Sequence, residues 1–479
     1  MGYPTSRLIV AALALVIASF PGALPAQNAP PAQTPSTVRP MPPAPLDAAT
    51  LQKKIDELID GHMKVSGFSG SVLLAKDGKP LVAKGYGYAN VEWQVPNTTN
   101  TKFRIGSITK QFTSMIVMKL REQGKIKLED SMCVYVSPCP DTWKPVTIHH
   151  LLTHTSGIPT YTGIPAWREV NMMSKTTDQI IAFFRDLPLQ WTAGERYAYN
   201  NSGYFLLGVI IEKITGRKYE QALQDMVLTP LGLSDTGYDW SKTIISRRAA
   251  GYSGTGASLA NTAALDMQHP YAAGSMYSTV EDLLKWDQAL YTTTLLPEAA
   301  KQIMWTPFRD NYAYGWNVVP ATANAFGGHR RVMHGGGING FSAMIVRLPE
   351  PRMTVIVLCN NDSASASTVA RDIMAIYYGH NYEVPAMPTI AKIDSKIIDQ
   401  YVGQYELRPG ALLTVTREDD RLMVEPPGGR KSEFLPSSET KFFLQAQPIT
   451  ITFVRNAAGA VTHLLLVQGG TETRATKVK

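Results

Sequence analysis

Three short fragments of the chain contain the residue types that acyl transfer requires. In chain order they are Gly106-Ser107-Ile-Thr-Lys110, Tyr199-Asn-Asn201 and His334-Gly-Gly336. A serine hydroxyl is a weak nucleophile until a neighbouring group removes its proton, and lysine and tyrosine can both take part in that step. The fragments therefore predict a serine nucleophile with its base close by.

Ser107 and Lys110 have the spacing of one helix face. Apolar residues follow the helical period as far as about Arg121, and Gln123-Gly124 is a stop signal. Side chains three residues apart lie one turn apart on the same face. A serine at the first helical turn also has free backbone N–H groups beside it, from which an oxyanion hole can be built.

The surrounding pattern predicts a sheet with helices on its faces and a helical insertion. The predicted elements are a helix over 47–65, a strand pair over 70–75 and 80–86, a mostly helical middle over 107–296, and two strands over 341–348 and 353–358. Within the middle region, Ser278 with Glu281 predicts a capping box for a helix that ends near Leu290.

The C-terminal region has a different composition. Short strand-like runs over 412–418, 422–426, 441–446, 449–454 and 461–467 are separated by turn residues, with no helical pattern between them. They predict a small antiparallel barrel. It would either bind a ligand at its mouth or cover a neighbouring cleft, and fold alone does not decide between the two.

The first residues predict a secretory signal peptide. Arg7 and the amino terminus precede the apolar run from Leu8 to Phe20, and no acidic residue occurs before Asp47. Such a run suits a signal peptide and is shorter than the ~20 residues that a spanning helix needs. We place cleavage after Ala26, with Ala23 as the alternative, and interpret the proline-rich stretch that follows as an unstructured linker.

The cysteines agree with export. The first of them is Cys133, so no lipid-anchor cysteine follows the signal, and we expect a soluble periplasmic or secreted protein without an integral membrane segment. An oxidising compartment favours a local disulfide between Cys133 and Cys139. Cys359 ends an apolar run and is expected to be a buried thiol.

Several longer stretches make the chain resemble the serine β-lactamases and penicillin-binding proteins. They are Phe103-Arg-Ile-Gly-Ser-Ile-Thr-Lys110, His150-Leu-Leu-Thr-His-Thr-Ser-Gly157, Tyr199-Asn-Asn-Ser-Gly-Tyr-Phe-Leu-Leu-Gly208, Ala273-Gly-Ser-Met-Tyr-Ser-Thr-Val-Glu-Asp282 and His334-Gly-Gly-Gly-Ile-Asn-Gly-Phe341. The resemblance is to the branch with class C β-lactamases, DD-peptidases, D-aminopeptidases and carboxylesterases. The Tyr401-Val-Gly-Gln-Tyr405 opening resembles the lipocalin-like barrels appended to some of these hydrolases.

The resemblance implies an α/β fold of the β-lactamase/transpeptidase type followed by the all-β barrel, and with the composition it divides the chain into five segments. These are a signal peptide (1–26), a Pro/Ala-rich linker (27–46), the serine hydrolase domain (47–383), a second linker (384–392) and the barrel (393–479).

The resemblance also implies a role for each motif residue. Ser107 would be acylated, Lys110 and Tyr199 would jointly supply the base, and Tyr199 would return the proton to the leaving group. The substrate-binding residues would be Asn201, His334, Gly335 and Gly336, and the backbone N–H groups of Ser107 and Gly337 would form the oxyanion hole.

The third motif departs from its common form. Many relatives have Lys-Thr-Gly, whose lysine offers a cation to a substrate carboxylate, whereas this chain has His334, a residue that is mostly neutral at pH 7. We therefore expect an ester or a D-amino-acid amide or peptide as substrate, with slow turnover of β-lactams. Arg330 and Arg331 are either a replacement for the missing charge or a solvated pair.

Other activities are disfavoured. His150 and His154 are four residues apart with His149 adjacent, but Leu151 stands where a zinc protease motif needs glutamate, so we expect no metal and assign these histidines to packing and hydrogen bonds. Basic residues outnumber acidic ones by 46 to 39, but the sequence has no basic run with interleaved aromatic residues of the kind that binds nucleic acid. No cofactor is expected.

Two alternatives to this hydrolase stay open. One is a true class C-type β-lactamase. The other is a non-catalytic sensor that binds penicillin or cell-wall peptides and uses the barrel as a partner surface. The expected ligand in every case is a small molecule or a peptide, and the oligomeric state is not predicted.

Overall fold

The computed structural model of the chain describes residues 46–321, 326–429, 431–444, 449–468 and 471–478, apart from the side chains of residues 257 and 471. The predicted signal peptide, and all but the last residue of the linker after it, lie outside these ranges. None of the described helices is long and apolar enough to cross a membrane.

The described strands of the larger domain are β1 (Gly70–Lys76), β2 (Lys79–Tyr86), β3 (Tyr88–Asn90), β4 (Val95–Pro96), β5 (Phe103–Arg104), β6 (Gly237–Tyr238), β7 (Tyr252–Ser253), β8 (Ala260–Asn261), β9 (Met276–Ser278), β10 (Asn317–Val319), β11 (Arg331–Ile338), β12 (Phe341–Leu348) and β13 (Met353–Cys359). Six of them form the antiparallel sheet on which this domain is built, in the order β10-β11-β12-β13-β1-β2.

Helices cover both faces of this sheet. They are α1 (Ala48–Ser66), α2 (Thr109–Glu122), α3 (Ile148–Leu152), α4 (Pro165–Val170), α5 (Thr177–Ile181), α6 (Asn201–Thr215), α7 (Tyr219–Leu223), α8 (Thr229–Leu231), α9 (Tyr271–Gly274), α10 (Val280–Ala289), α11 (Glu298–Met304) and α12 (Ala366–Tyr378).

Alternation along the buried strands divides the core into two layers. On β1, Val72 and Leu74 pack with α1 and α12, whereas Leu73 and Ala75 pack with the cluster that contains α2 and α6. A strand whose two faces are both covered must be apolar throughout, and the residues from Gly70 to Ala75 are all buried. The fold is therefore the predicted one.

Two local predictions need correction. The region predicted as mostly helical also contains the short strands β6 to β9 and long loops. The cap of α10 is Thr279, which accepts a hydrogen bond from the Asp282 N–H at 3.1 Å. Ser278 instead ends β9, where it pairs with Phe103. Because Ser278 belongs to the strand, the helix cap lies one residue later, at Thr279.

The C-terminal region forms the predicted barrel, and eight of the described strands close it. They are β14 (Gly403–Arg408), β15 (Ala411–Glu418), β16 (Arg421–Glu425), β17 (Ser432–Pro436), β18 (Lys441–Leu444), β19 (Ile449–Arg455), β20 (Val461–Gln468) and β21 (Thr471–Lys477). Three of them, β14, β17 and β21, were not predicted as strands. Side chains such as Tyr405, Phe442 and Phe453 fill the interior.

A buried ion pair ties α10 to the sheet. The Arg347 Nε of β12 donates to Asp287 Oδ1, and the two side chains are 1% and 0% exposed. Removal of one partner of such a pair leaves an uncompensated buried charge.

We predict that Asp287→Ala lowers the free energy of unfolding by about 3–5 kcal/mol, because Arg347 loses its counter-ion inside the protein. The exposed pair of Arg330 with Glu350 is the control, since Glu350→Ala should cost less than about 1 kcal/mol. Urea unfolding of both variants measures the difference, and equal losses would contradict the expectation.

Candidate active site

Ser107 lies in a 3-10 turn that leads directly into α2. The turn spans Gly106–Ile108, and α2 begins at Thr109, so the serine stands just before the α-helix rather than within it. Gly106 has a φ of 49°, in the left-handed region that glycine adopts without strain. This turn places Ser107 at the mouth of a cleft with Lys110 one helical turn below.

Lys110 joins three of the four segments of the site. Its Nζ lies 3.0 Å from Ser107 Oγ, 2.9 Å from Asn201 Oδ1 and 2.8 Å from the carbonyl oxygen of Ala273. The third partner is a backbone group on α9. An ammonium has three N–H donors, so these three neighbours account for all of them.

Lys110 is buried without a counter-ion. The residue is 0% exposed, and none of the ion pairs of the described residues includes it. The rings of Tyr199 and Tyr204 lie 4.7 and 5.5 Å from Nζ. Burial lowers the pKa of Lys110 well below its ordinary value. The side chain therefore loses its proton more readily than a solvated lysine does.

Tyr199 precedes α6 and is the most accessible of the aromatic residues around the lysine. It is 39% exposed, while its hydroxyl lies among protein atoms beside Ser107. Desolvation raises the pKa of Tyr199 above its ordinary value, and its hydrogen bond with Ser107 opposes that rise. The phenol is therefore protonated at neutral pH.

The two asparagines after Tyr199 have different functions. Asn200 caps α6, because its Oδ1 accepts a hydrogen bond from the Gly203 N–H at 2.8 Å. Asn201 points into the site, where Oδ1 accepts from Lys110 and Nδ2 donates to Thr162 Oγ1 at 3.2 Å. The amide is thereby fixed with its oxygen toward the amine.

The glycines of β11 allow that strand to lie against the Ser107 turn. A methyl group at Gly336 would be 1.9 Å from the Ile105 carbonyl oxygen, and one at Gly106 would be 2.9 Å from the Gly337 nitrogen. Ile338 and Phe341 close the hairpin, so the next pair, Gly337 with Ser342, is the non-hydrogen-bonded kind. The Gly337 N–H therefore points away from β12, on the side of the turn.

His334 lies deeper than the glycines that follow it. The residue is 4% exposed, its Nε2 is 3.0 Å from the Tyr312 hydroxyl, and its Nδ1 is 2.6 Å from the Gly335 carbonyl oxygen. Burial, together with nearby Lys110, lowers the pKa of His334 to about 4. The imidazole is neutral at pH 7 and carries no charge for a substrate.

Neither of the two arginines before His334 supplies the missing charge to the cleft. Arg330 pairs with Glu350 at 3.0 Å. Arg331 alternates to the opposite face of β11 from His334, where its guanidinium lies 4.6 Å from the ring of Phe326. The prediction that Arg330 or Arg331 replaces the lysine charge of the third motif is therefore not supported.

A pocket of about 250 Å³ opens beside Ser107. Apolar side chains form much of its wall, namely Tyr161, Trp167, Leu265, Pro270 and Ile338. Thr162, Asn201 and Asn339 add polar groups, and the described residues that line it include no charged side chain. The pocket is therefore suited to a neutral, largely apolar group.

Some features of the site were not predicted. The Ala273 carbonyl and the Tyr312 hydroxyl belong to residues that the motifs do not mark as functional. The three histidines of the second motif region make hydrogen bonds: His149 Nδ1 with the Tyr314 hydroxyl at 2.8 Å, His150 Nδ1 with the Thr147 N–H at 3.2 Å, and His154 Nδ1 with the Asn200 N–H at 3.1 Å. Cys133 and Cys139 form a disulfide, and Cys359 is a buried thiol.

Comparison with known protein families gives two matches. The β-lactamase family profile matches residues 55–377, about two thirds of the chain, and a domain of unknown function, DUF3471, matches residues 388–476. The chain belongs to the β-lactamase family. The resemblance seen in the motifs is confirmed.

Relatives of this β-lactamase-family protein span most of its length. A penicillin-binding protein of Bacillus subtilis (strain 168) is 31% identical over 457 residues, which is 90% of this chain and 98% of the relative. A penicillin-binding protein homologue from Pyrococcus abyssi, described as octameric, is 27% identical with a TM-score of 0.61, over 90% of this chain and 100% of its own. A D-stereospecific amidohydrolase from Streptomyces sp. is 26% identical with a TM-score of 0.57, over 70% and 100% respectively.

We predict that Gly336→Ala lowers the rate of acylation by about 100-fold or more, because the methyl group displaces β11 from the Ser107 turn and with it the Gly337 N–H. Gly335→Ala is the matched control, since its methyl group would meet atoms no nearer than 3.7 Å. Labelling rates with a serine-reactive phosphonate measure both variants. Equal rates would show that the contact between strand and turn is not required.

Proposed function

We propose that this protein is an exported serine hydrolase that forms an acyl-enzyme on Ser107. The observation that carries the proposal is the 3.0 Å contact between Ser107 Oγ and the Nζ of a buried lysine that has no counter-ion. A catalytic base must lie within hydrogen-bond reach of the proton it removes and must be unprotonated near the working pH. Lys110 lies within reach of the serine proton, and burial lowers its pKa in the direction that a base requires.

The contacts of Lys110 support its assignment as the base. A neutral amine has two N–H groups and one lone pair, and the two carbonyl oxygens of Asn201 and Ala273 accept from the two N–H groups. The remaining direction faces Ser107, so the lone pair is available for the serine proton. Tyr199, whose phenol stays protonated, is better suited to act as an acid than as the first base.

The acylation step then proceeds as follows. Ser107 Oγ bonds to the substrate carbonyl carbon while its proton passes to Lys110 Nζ, and the N–H groups of Ser107 and Gly337 stabilise the oxyanion. As the bond to the leaving group breaks, Tyr199 donates its proton to that group and regains one from Lys110. Water hydrolyses the ester of Ser107 in a second step that uses the same groups in reverse.

The neutral pocket supports one substrate class. Apolar walls and the lack of charge among its described lining residues favour an acyl group without a carboxylate, such as a short acyl ester or an apolar D-amino-acid amide. The similarity to a D-stereospecific amidohydrolase supports this class. A β-lactam carries a carboxylate for which the described pocket offers no cation, so it should be turned over slowly.

Export is part of the proposal. The apolar run after Arg7 supports it, as does the disulfide between Cys133 and Cys139, because such bonds persist in oxidising compartments. The location would be the periplasm or the external medium, and mass spectrometry of the mature amino terminus would test the cleavage after Ala26.

We expect a covalent adduct on Ser107 when the folded protein is incubated with a penicillin or a serine-reactive phosphonate. Mass spectrometry of the peptide that contains Ser107 detects it, and Ser107→Ala should remove it, whereas replacement of the exposed Ser174 by alanine should not. Folded protein without any adduct would contradict the hydrolase and favour a non-catalytic binding protein.

We expect kcat/KM to rise with pH through the lowered pKa of Lys110 and to level off above it. The rate falls in acid because protonation removes the reactive neutral amine, and the lowered pKa of Lys110 extends the active range to lower pH. Tyr199→Phe should reduce the rate by about 100-fold or more without moving the rising limb. A shift of the rising limb of the pH profile in Tyr199→Phe would instead identify the tyrosine as the base.

We expect p-nitrophenyl esters of short acids and anilides of apolar D-amino acids to be hydrolysed faster than nitrocefin or a D-Ala-D-Ala peptide, because the latter two carry a carboxylate near the reacting carbonyl. Comparison of kcat/KM for the four substrates measures the order. Fast nitrocefin turnover would instead indicate a true β-lactamase.

A further inference from the structure

The motif residues 154–157 form a loop that runs beside the segment carrying Tyr199. The Gly157 carbonyl accepts from the Gln190 N–H at 2.8 Å, and the Thr155 carbonyl accepts from the Gly194 N–H at 2.8 Å. A methyl group at Gly157 would be 2.2 Å from the Trp191 carbonyl oxygen, so glycine is required where the two segments touch. The loop and the segment thus support each other as a paired unit.

His154, at the start of this loop, binds the backbone on both sides of Tyr199. Its carbonyl oxygen accepts from the Ala198 N–H at 3.0 Å, and its Nδ1 accepts from the Asn200 N–H at 3.1 Å. One residue therefore holds the N–H groups of the residues on either side of the tyrosine. The two anchors enclose the short backbone stretch from Ala198 to Asn200 and restrict its rotation.

The imidazole ring also packs on the tyrosine ring. The centroids of His154 and Tyr199 are 4.4 Å apart, and Tyr312 and Tyr204 lie 4.5 and 5.1 Å from the same imidazole. His154 is 1% exposed and has a φ of 58°, a left-handed conformation that is uncommon for a residue with a side chain. Strain of this kind persists where the surroundings require one particular geometry.

We propose that His154 is a positioning residue that fixes Tyr199 for proton transfer to the leaving group. It contacts no reacting atom and acts through the tyrosine, so the inference rests on the proposed function. Burial keeps the imidazole neutral by lowering the pKa of His154 well below its ordinary value, which leaves Nδ1 free to accept from Asn200. His154 thus binds the backbone of both chain neighbours of Tyr199, Ala198 and Asn200.

Two substitutions of His154 distinguish the effect of its Nδ1 acceptor from the effect of its ring. His154→Asn offers an amide oxygen near the position of Nδ1 and tolerates a left-handed φ, but it removes the ring. His154→Phe keeps a ring and removes the acceptor, so the buried Asn200 N–H loses its partner. We expect kcat to fall by about 10-fold in His154→Asn and by about 100-fold in His154→Phe, with KM unchanged.

The decisive measurement is a double-mutant cycle with Tyr199→Phe, with the fold of each variant checked by circular dichroism. If His154 acts through the Tyr199 hydroxyl, neither His154 variant should lower kcat further in the Tyr199→Phe background. His62→Asn is the matched control: this buried histidine of α1 belongs to the other core layer, and any loss it causes should be equal in both backgrounds.

The outcomes are distinct. Equal fold losses for His154→Asn in the two backgrounds would overturn the positioning role and leave a structural one. His154→Asn gives this answer by itself if His154→Phe does not fold. Failure of the unmodified protein to form the phosphonate adduct on Ser107 would overturn the proposed function instead, since that reaction does not depend on the His154 variants.

Discussion

The site depends on an amine that is kept inside the protein without an acid partner. A carboxylate beside Lys110 would hold its proton, whereas water would solvate the ammonium and return the pKa to its ordinary value. The structure avoids both by giving Nζ carbonyl acceptors, from Asn201 and Ala273, and aromatic neighbours. The amine is satisfied in its neutral form, and Ser107 occupies the direction that is left.

This arrangement constrains the architecture around it. Each partner of Lys110 comes from a different element, so α2, the start of α6 and α9 must all meet at one point. On the other side of Ser107, β11 reaches the turn only because Gly336 has no side chain to collide with the Ile105 carbonyl. The apolar core layers on both faces of the sheet hold these elements in register.

The structure brings together Ser107, Lys110 and Asn201, which the motifs name, and adds contacts that the motifs could not reveal. Ser107 and Lys110 are three residues apart, so local geometry brings them together. The Ala273 carbonyl carries no side-chain signal, and only tertiary packing brings it to Lys110. The same holds for His334, whose burial behind Tyr312 does not follow from its type. In the barrel, β17 was missed because Ser432 to Pro436 lacks a clear alternating pattern, and its pairing with both neighbours makes it a strand.

The site is assembled from segments that are far apart in sequence: 106–110, 199–201, 273 and 337. In the unfolded chain Ser107 is an ordinary hydroxyl and Lys110 an ordinary ammonium, because neither the burial nor the carbonyl acceptors exist there. Reactivity therefore arises only with the tertiary contacts that join sheet, turn and helices. Under the proposed function, a newly made chain is inert toward esters and amides until it has folded, so acylation of Ser107 would mark the completion of folding.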